Sequence, residues 1–435
     1  MASDYFRSDN REVLGKTILR ARTYTVKDEN GRTRTRSVTE DMVGNRIASN
    51  FFFRFVTQEN QYLLGNGATI EADGVDDAKE RLGPGFDTML QAAGEKALVQ
   101  GVCWGFWNVD HVEIIPAARD ALSGFVALVD EMTGLPMVGV QFWQVGADRP
   151  QYIRLFEVDG VTLYRVDNGD FAEVEPKRAY QVRVATDAAG ARIAGTSNYG
   201  VLPVVPLYAN DEHRSELSTA IKQKIDAYDR ILSDFGDNLE RANDIYWVLN
   251  NFGGSMDDIA IMLEQINRLK AIANFSDGTM SSTAEPVSFE VPYAARQTAL
   301  ELLRKALYQD AMALDMDELT GGSLTNVAIQ AATINLNLKC DRFEWQVFSF
   351  VQQLLRLAGV ETEKISFTRQ DVVNRSEIVA DIATMRSDID RRTALTLNPY
   401  IMPDKIDEIM ANVDAEEVSG LPGMEELEEA VNESV

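Results

Sequence analysis

Residues 212–242 read EHRSELSTAIKQKIDAYDRILSDFGDNLERA. Within this stretch Ile221, Ile225, Tyr228, Leu232, Phe235, Leu239 and Ala242 step by four, three, four, three, four and three. Those steps keep the apolar side chains on one face of a helix and leave the charged ones elsewhere. A seam of this length predicts a helix from about 212 to 242 that packs lengthwise along a partner helix. Pro203 and Pro206 stand just before it and close whatever precedes.

Upstream, residues 1–40 are polar, with Arg32, Arg34 and Arg36 alternating with Thr. Alternation at period two suits an exposed strand or an arm. A solvated face and a contact with DNA or an acidic partner are both compatible with it. Met42, Ile47, Phe51, Phe55, Tyr62 and Leu63 supply a helical stripe over 41–65, ended by Gly65-Asn66-Gly67 as a C-cap. Residues 78–98 predict a second helix, interrupted near Gly83-Pro84-Gly85. From about 99 to 208, short Val/Ile/aromatic runs alternate with turn signals such as Asp167-Asn168-Gly169 and Ala188-Ala189-Gly190. Val138–Val145, Tyr152–Val158 and Tyr180–Val184 read as strands of a β-rich module.

Downstream, residues 243–291 are mixed, with a short helix expected at about 256–272, a polar loop at 276–283 and a strand-like Val287–Val291. An Ala-rich helix is expected over 294–314, where small residues permit close helix approach. The break Asp315-Met316-Asp317-Glu318-Leu319-Thr320-Gly321-Gly322-Ser323 follows. A helix then runs from about 325 to 357, and its wide apolar surface of Ile334, Leu338, Phe343, Trp345, Phe348, Phe350 and Leu354 reads as buried. Residues 364–412 predict a strand at 365–367 and two short helices, and the Glu-rich tail 414–435 reads as disordered or marginally helical. The fold class is α+β.

Composition narrows the function. Net charge is −26, the opposite of what a phosphate-gripping nucleic-acid binder needs. There is no apolar run long enough to span a membrane, and the polar N-terminus is no signal peptide. Cys103 and Cys340, the only two cysteines, read as buried thiols in a reducing compartment, and two isolated histidines cannot build a His-rich zinc site. Gly15-Lys16-Thr17 is like the end of a P-loop, but Asn10 stands where the first glycine belongs and no buried strand precedes it. Asp315-x-Asp317 suggests a calcium loop, yet Leu319 and Thr320 occupy positions that need a ligand and a glycine. No carboxylate pair stands out as an acid/base couple, so no catalytic, cofactor or metal residue is assigned.

The order seam helix, compact insert, Ala-rich helix, Gly-containing acidic loop and long helix resembles the siphophage-type portal protein family of tailed bacteriophages. Asn45-Arg46-Ile47, Asn50-Phe51-Phe52 and Tyr62-Leu63-Leu64-Gly65 are similar to that family's N-terminal wing signature. Pro203 to Asn210, followed by Ile225-Asp226-Ala227-Tyr228-Asp229 and Leu232-Ser233-Asp234-Phe235, resembles its most recognisable segment. Thr325 to Ile329, Leu336 to Lys339, and Asp388 to Pro399 with Arg392-Thr393 extend the likeness over about 41 to 412.

The resemblance implies a portal fold: an N-terminal wing with the β-rich module (1–210), a stem helix (211–242), a small α/β clip (243–291), a second stem helix (292–314), a tunnel loop (315–326), a long helix with the rest of the wing (327–390), and a reduced crown with an acidic tail (391–435). It implies a homo-oligomeric ring, usually a dodecamer, at one capsid vertex of the virion, made in the host cytoplasm. Double-stranded DNA would pass through the channel during packaging and ejection. Terminase, the head–tail connector, the major capsid protein and scaffolding protein would be partners; a membrane would not. The DNA-facing residues would be Asp315, Met316, Asp317, Glu318, Leu319, Thr320, Gly321, Gly322, Ser323 and Leu324, and Tyr246 and Trp247 would serve the clip interface. No Lys or Arg occurs in 315–326, which suits a surface that DNA slides past. A non-viral helical scaffold would explain the seam but not the β-rich insert, and a nucleotide-dependent enzyme would need Lys16.

Overall fold

The computed structural model describes residues 1–10, 14, 18–27, 33–42, 44–72, 78–120, 122–134, 136–146, 148–167, 169–187, 190–242, 246–250, 283–287, 293–319, 326–362, 364–369, 375–385, 389–401 and 405–419. A short helix α1 (Ala2–Phe6) precedes an antiparallel hairpin, β1 (Ile18–Lys27) and β2 (Thr33–Met42), in register from Ile18 opposite Met42 to Lys27 opposite Thr33. Helix α2 (Phe51–Leu64), strand β3 (Ala68–Glu71) and helix α3 (Phe86–Gln100) follow. The expected C-cap is present: Gly65 N–H donates to the Gln61 carbonyl, and Gly67 turns the chain at φ 76°. Only glycine fits there, because an added Cβ would lie 2.7 Å from the Asp87 carboxylate.

The β-rich module holds β4 (Val102–Asn108), β5 (His111–Pro116), β6 (Ala118–Asp120), β7 (Ser123–Val129), β8 (Pro136–Gln144), β9 (Gln151–Glu157), β10 (Gly160–Asp167), β11 (Asp170–Arg178), β12 (Gln181–Asp187), β13 (Gly190–Ser197) and β14 (Val204–Tyr208). Strands β6 to β11 form a six-stranded sheet in simple chain order, β12 and β13 a separate hairpin, and β14-β4-β5 a three-stranded sheet. A small apolar core of Trp104, Ile115, Phe125, Phe156, Leu202 and Val204 joins the sheets.

Beyond the module run α4 (Thr219–Ala242), the strand pair β15 (Tyr246–Asn250) and β16 (Thr283–Val287), α5 (Tyr293–Asp310), a one-turn α6 (Met316–Leu319), and α7 (Asn326–Leu357). Strand β17 (Lys364–Phe367) pairs with β3, and α8 (Arg375–Thr384), α9 (Arg391–Leu397) and α10 (Ile406–Ser419) end the described chain. The main core lies where α2, α3 and α7 meet β4 and β14, with Phe52, Leu63, Leu98, Leu207, Phe343 and Phe350 fully enclosed.

Several expectations are corrected. The first long helix begins at Phe51, not 41: Met42 ends β2, and Ile47 lies in an extended strap, 38% exposed. The seam helix begins at Thr219, because Ser218 caps it, its Oγ accepting the Ile221 N–H at 3.2 Å. A strand Thr283–Val287 pairs with β15; of the expected strand Val287–Val291, residues 288–291 lie outside the described residues. Among the described residues three helices, not two, follow β17, and α10 reaches residues 414–419, within the tail read as disordered or marginally helical. The largest correction concerns α7. Its buried positions are Ile329, Thr333, Leu336, Cys340, Phe343, Val347, Phe350, Val351, Leu354 and Leu355, whereas Ile334, Leu338 and Trp345 are 55%, 53% and 71% exposed. The helix carries two apolar faces, and only one meets the core. The expected helix at 256–272, the loop at 276–282 and the tail beyond 419 lie outside the described residues.

Candidate functional site

The seam of α4 buries Ile221 and Ile225 in the main core, but its later members go inside only in part: Tyr228 packs against that core half-buried, and Leu239 is half exposed. The deeply buried residues of that half are polar, namely Asp226, Asp229, Ser233 and Asp237. The last three face the strap at 44–50. Ser49 N–H donates to Asp229 Oδ1 at 2.9 Å, Ile47 N–H to Ser233 Oγ at 3.0 Å, and Asn45 N–H to Asp237 Oδ1 at 2.5 Å. Two extended residues advance about 6.6 Å and four helical residues about 6.0 Å, so a strap running antiparallel to a helix meets every fourth side chain with every second N–H. The helix thus supplies the acceptors that a strand neighbour would otherwise provide.

The N-terminus joins the same stripe. Tyr5 Oη donates to Asp226 Oδ1, Asn10 Nδ2 to both Asp226 and Asp229, and Lys222 closes the group at 2.7 Å from Asp226. Burial alone would raise the Asp226 pKa, but the hydrogen bonds from Lys222, Tyr5 and Asn10 outweigh it and bring it below the usual value. Asp229, more deeply enclosed, is pushed up by burial.

Helix α5 returns antiparallel to α4: Lys224 pairs with Asp310 at the core end, and Phe235 meets Tyr293, ring centres 5.6 Å apart, towards the other. The β15–β16 pair connects to the second end, with Tyr246 opposite Val287 and Trp247 opposite Pro286. At the core end, Arg304 of α5 binds both Asp315, at 2.7 Å, and Asp317, and lies over the Tyr308 ring. Asp317 and Asp315 hold the Arg304 pKa above its ordinary value. Asp315 is largely buried, Met316 is about half exposed and Asp317 is 70% exposed on its side chain. The acidic break therefore begins as a helical turn clamped to α5, not as a freely solvated connection. Residues 320–325 lie outside the described residues, so Thr320, Gly321, Gly322, Ser323 and Leu324 have no described geometry. A cleft of about 470 Å³ sits beside this turn, lined by the strap, Phe51, Arg54, Phe55, Tyr228 and Tyr308 among others.

A second polar group sits inside the main core. Lys339 of α7 lies 2.7 Å from Glu59 of α2 and 3.3 Å from Glu216. Glu59 is fully enclosed, and burial pushes its pKa up to about 7 against the opposing pull of Lys339. Nearby, Arg369 binds Asp341, Glu344 at 2.7 Å and the Asn337 amide oxygen at 2.9 Å, an oxygen that also accepts from Tyr62. These groups lock α2, α7 and the segment before α4 together; none pairs a nucleophile with a base. Cys103 and Cys340 are both buried and free, and burial pushes each thiol up to about 12. Among the described residues no group of three or more His, Cys, Asp or Glu could hold a metal, and no helix is long and apolar enough to cross a membrane. Lys16 lies outside the described residues.

Sequence reasoning missed the buried polar stripe of α4, although Asp229, Ser233 and Asp237 repeat at the helical spacing of four. It also missed Arg304, whose signal was faint: one of three basic residues, with Arg296 and Lys305, on an otherwise Ala- and Leu-rich helix.

The family described as phage portal protein, SPP1 Gp6-like, matches residues 3–419, and the chain belongs to it. The portal protein of Clostridium phage phiCD119 is 30% identical over 369 residues, covering 78% of each chain. The portal protein of Bacillus phage SPP1 is 25% identical over 403 residues, covering 84% of this chain and 75% of that one. Among solved structures, a chain from the neck of an empty GTA particle aligns over 82% of this chain and 91% of its own at 11% identity and TM-score 0.44, too loose a likeness to argue from. The function is therefore that of a phage portal protein, and the family is a structural one.

Proposed function

We propose that copies of this chain close into a ring, a dodecamer, at one capsid vertex, through which double-stranded DNA enters during packaging and leaves at ejection. The observation that carries this reading is the family match over residues 3–419, since a likeness to one segment would transfer only that segment's role. The wing is 1–210 with much of 327–390, the stem is α4 with α5, the clip is 243–291, the tunnel loop is 315–326, and 391–435 is a reduced crown and acidic tail. The antiparallel α4–α5 pair, joined at one end through β15 and β16, supports the stem-and-clip assignment. The clip, with Tyr246 and Trp247, meets the terminase and later the head–tail connector, and the wing faces the major capsid and scaffolding proteins. The chain is made in the host cytoplasm, and ATP-driven work belongs to the terminase.

The tunnel loop touches DNA through shape and weak apolar contact. With no Lys or Arg in 315–326, each ring offers no fixed cation there to brake a moving phosphate backbone. The Arg304 clamp supports this: the nearest described cation is already neutralised by Asp315 and Asp317. Negative-stain images of the purified full chain test the reading, which expects annular particles with a central hole wide enough for duplex DNA; solid particles without a hole would refute it.

A further inference from the structure

Helix α7 presents a second seam opposite the one that enters the core. Val327, Ala331, Ile334, Leu338 and Trp345 fall on one face at steps of four, three, four and seven. The large ones are 74%, 55%, 53% and 71% exposed. A solvent-facing helix surface ordinarily carries charge, and a quarter of this chain is charged, yet residues 326–338 contain no Asp, Glu, Lys or Arg. Single exposed apolar residues need no explanation, but a periodic run over five turns does.

Electrostatics bears on what covers it. Each copy carries a net charge of −26, so two copies repel, and any surface that brings them together must avoid burying carboxylates against carboxylates. The charge-free stretch Val327–Leu338 fits that requirement, Asp341 and Arg342 lying between it and Trp345 at its edge, and depletion of charge at the centre is the compositional mark of a protein–protein contact. A stable interface buries ~800 Å² per partner, so the strip forms its apolar centre and a polar rim supplies the remainder. We infer that the Val327–Ile334–Leu338–Trp345 seam of α7 packs against a second copy of this chain and is a principal contact between neighbours in the ring. This inference rests on the ring proposed above. The contact is heterologous: the seam of one subunit meets a different face of the next, since a seam paired with itself would close a two-fold dimer and stop.

The test uses the full chain. Ile334→Glu combined with Trp345→Glu places two buried carboxylates at each contact, and Val327→Gln with Leu338→Gln is the milder counterpart. Because these side chains are exposed in the single subunit, helical circular dichroism and the thermal midpoint of the monomer should be unchanged. Native mass spectrometry should show the rings of both variants dissociating at protein concentrations about tenfold or more above those at which the unmodified ring dissociates. Trp345→Phe should restore the ring, and Met132→Glu, at a 97% exposed position in the β7–β8 turn, should leave it intact. An unmodified chain that is only monomeric would sink the ring itself. Rings of unchanged stability in both variants would sink this inference alone. So would variants that still form rings but fail to join the capsid, since the seam would then belong to a capsid or scaffolding partner.

Discussion

Asp229 Oδ1 accepts the backbone N–H of Ser49 at 2.9 Å, between residues 180 positions apart in the chain. This bond is the first rung of the ladder that ties the strap to α4, and Asp229 also receives Asn10. Asp229→Ala should leave a buried N–H without a partner, at a cost of about 1–3 kcal/mol. Urea unfolding should show the loss, and hydrogen exchange should quicken at the amides of 45, 47 and 49. Arg230→Ala, on the exposed side of the same turn, should change stability by less than about 0.5 kcal/mol. Equal effects from the two substitutions would mean that the ladder is incidental.

The Glu59–Lys339 pair gives stability a pH dependence. Glu59 has a folded pKa of about 7 against an ordinary value of 4.5, so the folded state holds this proton more tightly than the unfolded state. Its contribution favours folding most below about 4.5, is lost as pH rises from there to about 7, and is level above that, over a range on the order of 3 kcal/mol. Glu59→Gln should remove this slope, whatever it does to absolute stability. Parallel denaturation curves at pH 5 and pH 8 for both proteins check it; an identical pH dependence would show that Glu59 does not titrate in that window.

How much of this was readable beforehand varies with the physics involved. The stem helix declared itself through its three-four spacing, because apolar periodicity is set by the helix and by little else. Where Thr219 starts it depended on Ser218, a capping residue that an apolar count passes over. The strap was read as helix because Ile47 happens to continue the stripe of Phe51 and Phe55, and only the distant acceptors on α4 make the extended form stable. Trp345 and Leu338 were read as core for a related reason. A helix that buries one apolar face and presents another to a neighbour has the composition of a fully buried helix, and one chain's sequence does not say which neighbour is its own.

The channel segment should tolerate new charge as a fold but not as a conduit. Asp317→Lys with Glu318→Lys removes one arm of the Arg304 clamp, at a stability cost below about 1 kcal/mol for so exposed a pair, because Asp315 remains. Rings should assemble. Packaging should slow or stall, most at low salt, where phosphate attraction is least screened. A fully formed mutant ring that packages normally at low ionic strength would place this segment away from the DNA path.

Lys16 should carry no nucleotide chemistry. The purified chain should turn over no ATP above background, and Lys16→Ala should leave ring assembly unchanged. Hydrolysis that vanishes with that substitution would make the chain a nucleotide-dependent enzyme.

The most direct measurement of the central claim is the native mass of the unmodified protein across a dilution series. The account predicts a species near twelve times the 48.4 kDa protomer that persists on dilution. A monomer as the only species at every concentration would contradict it.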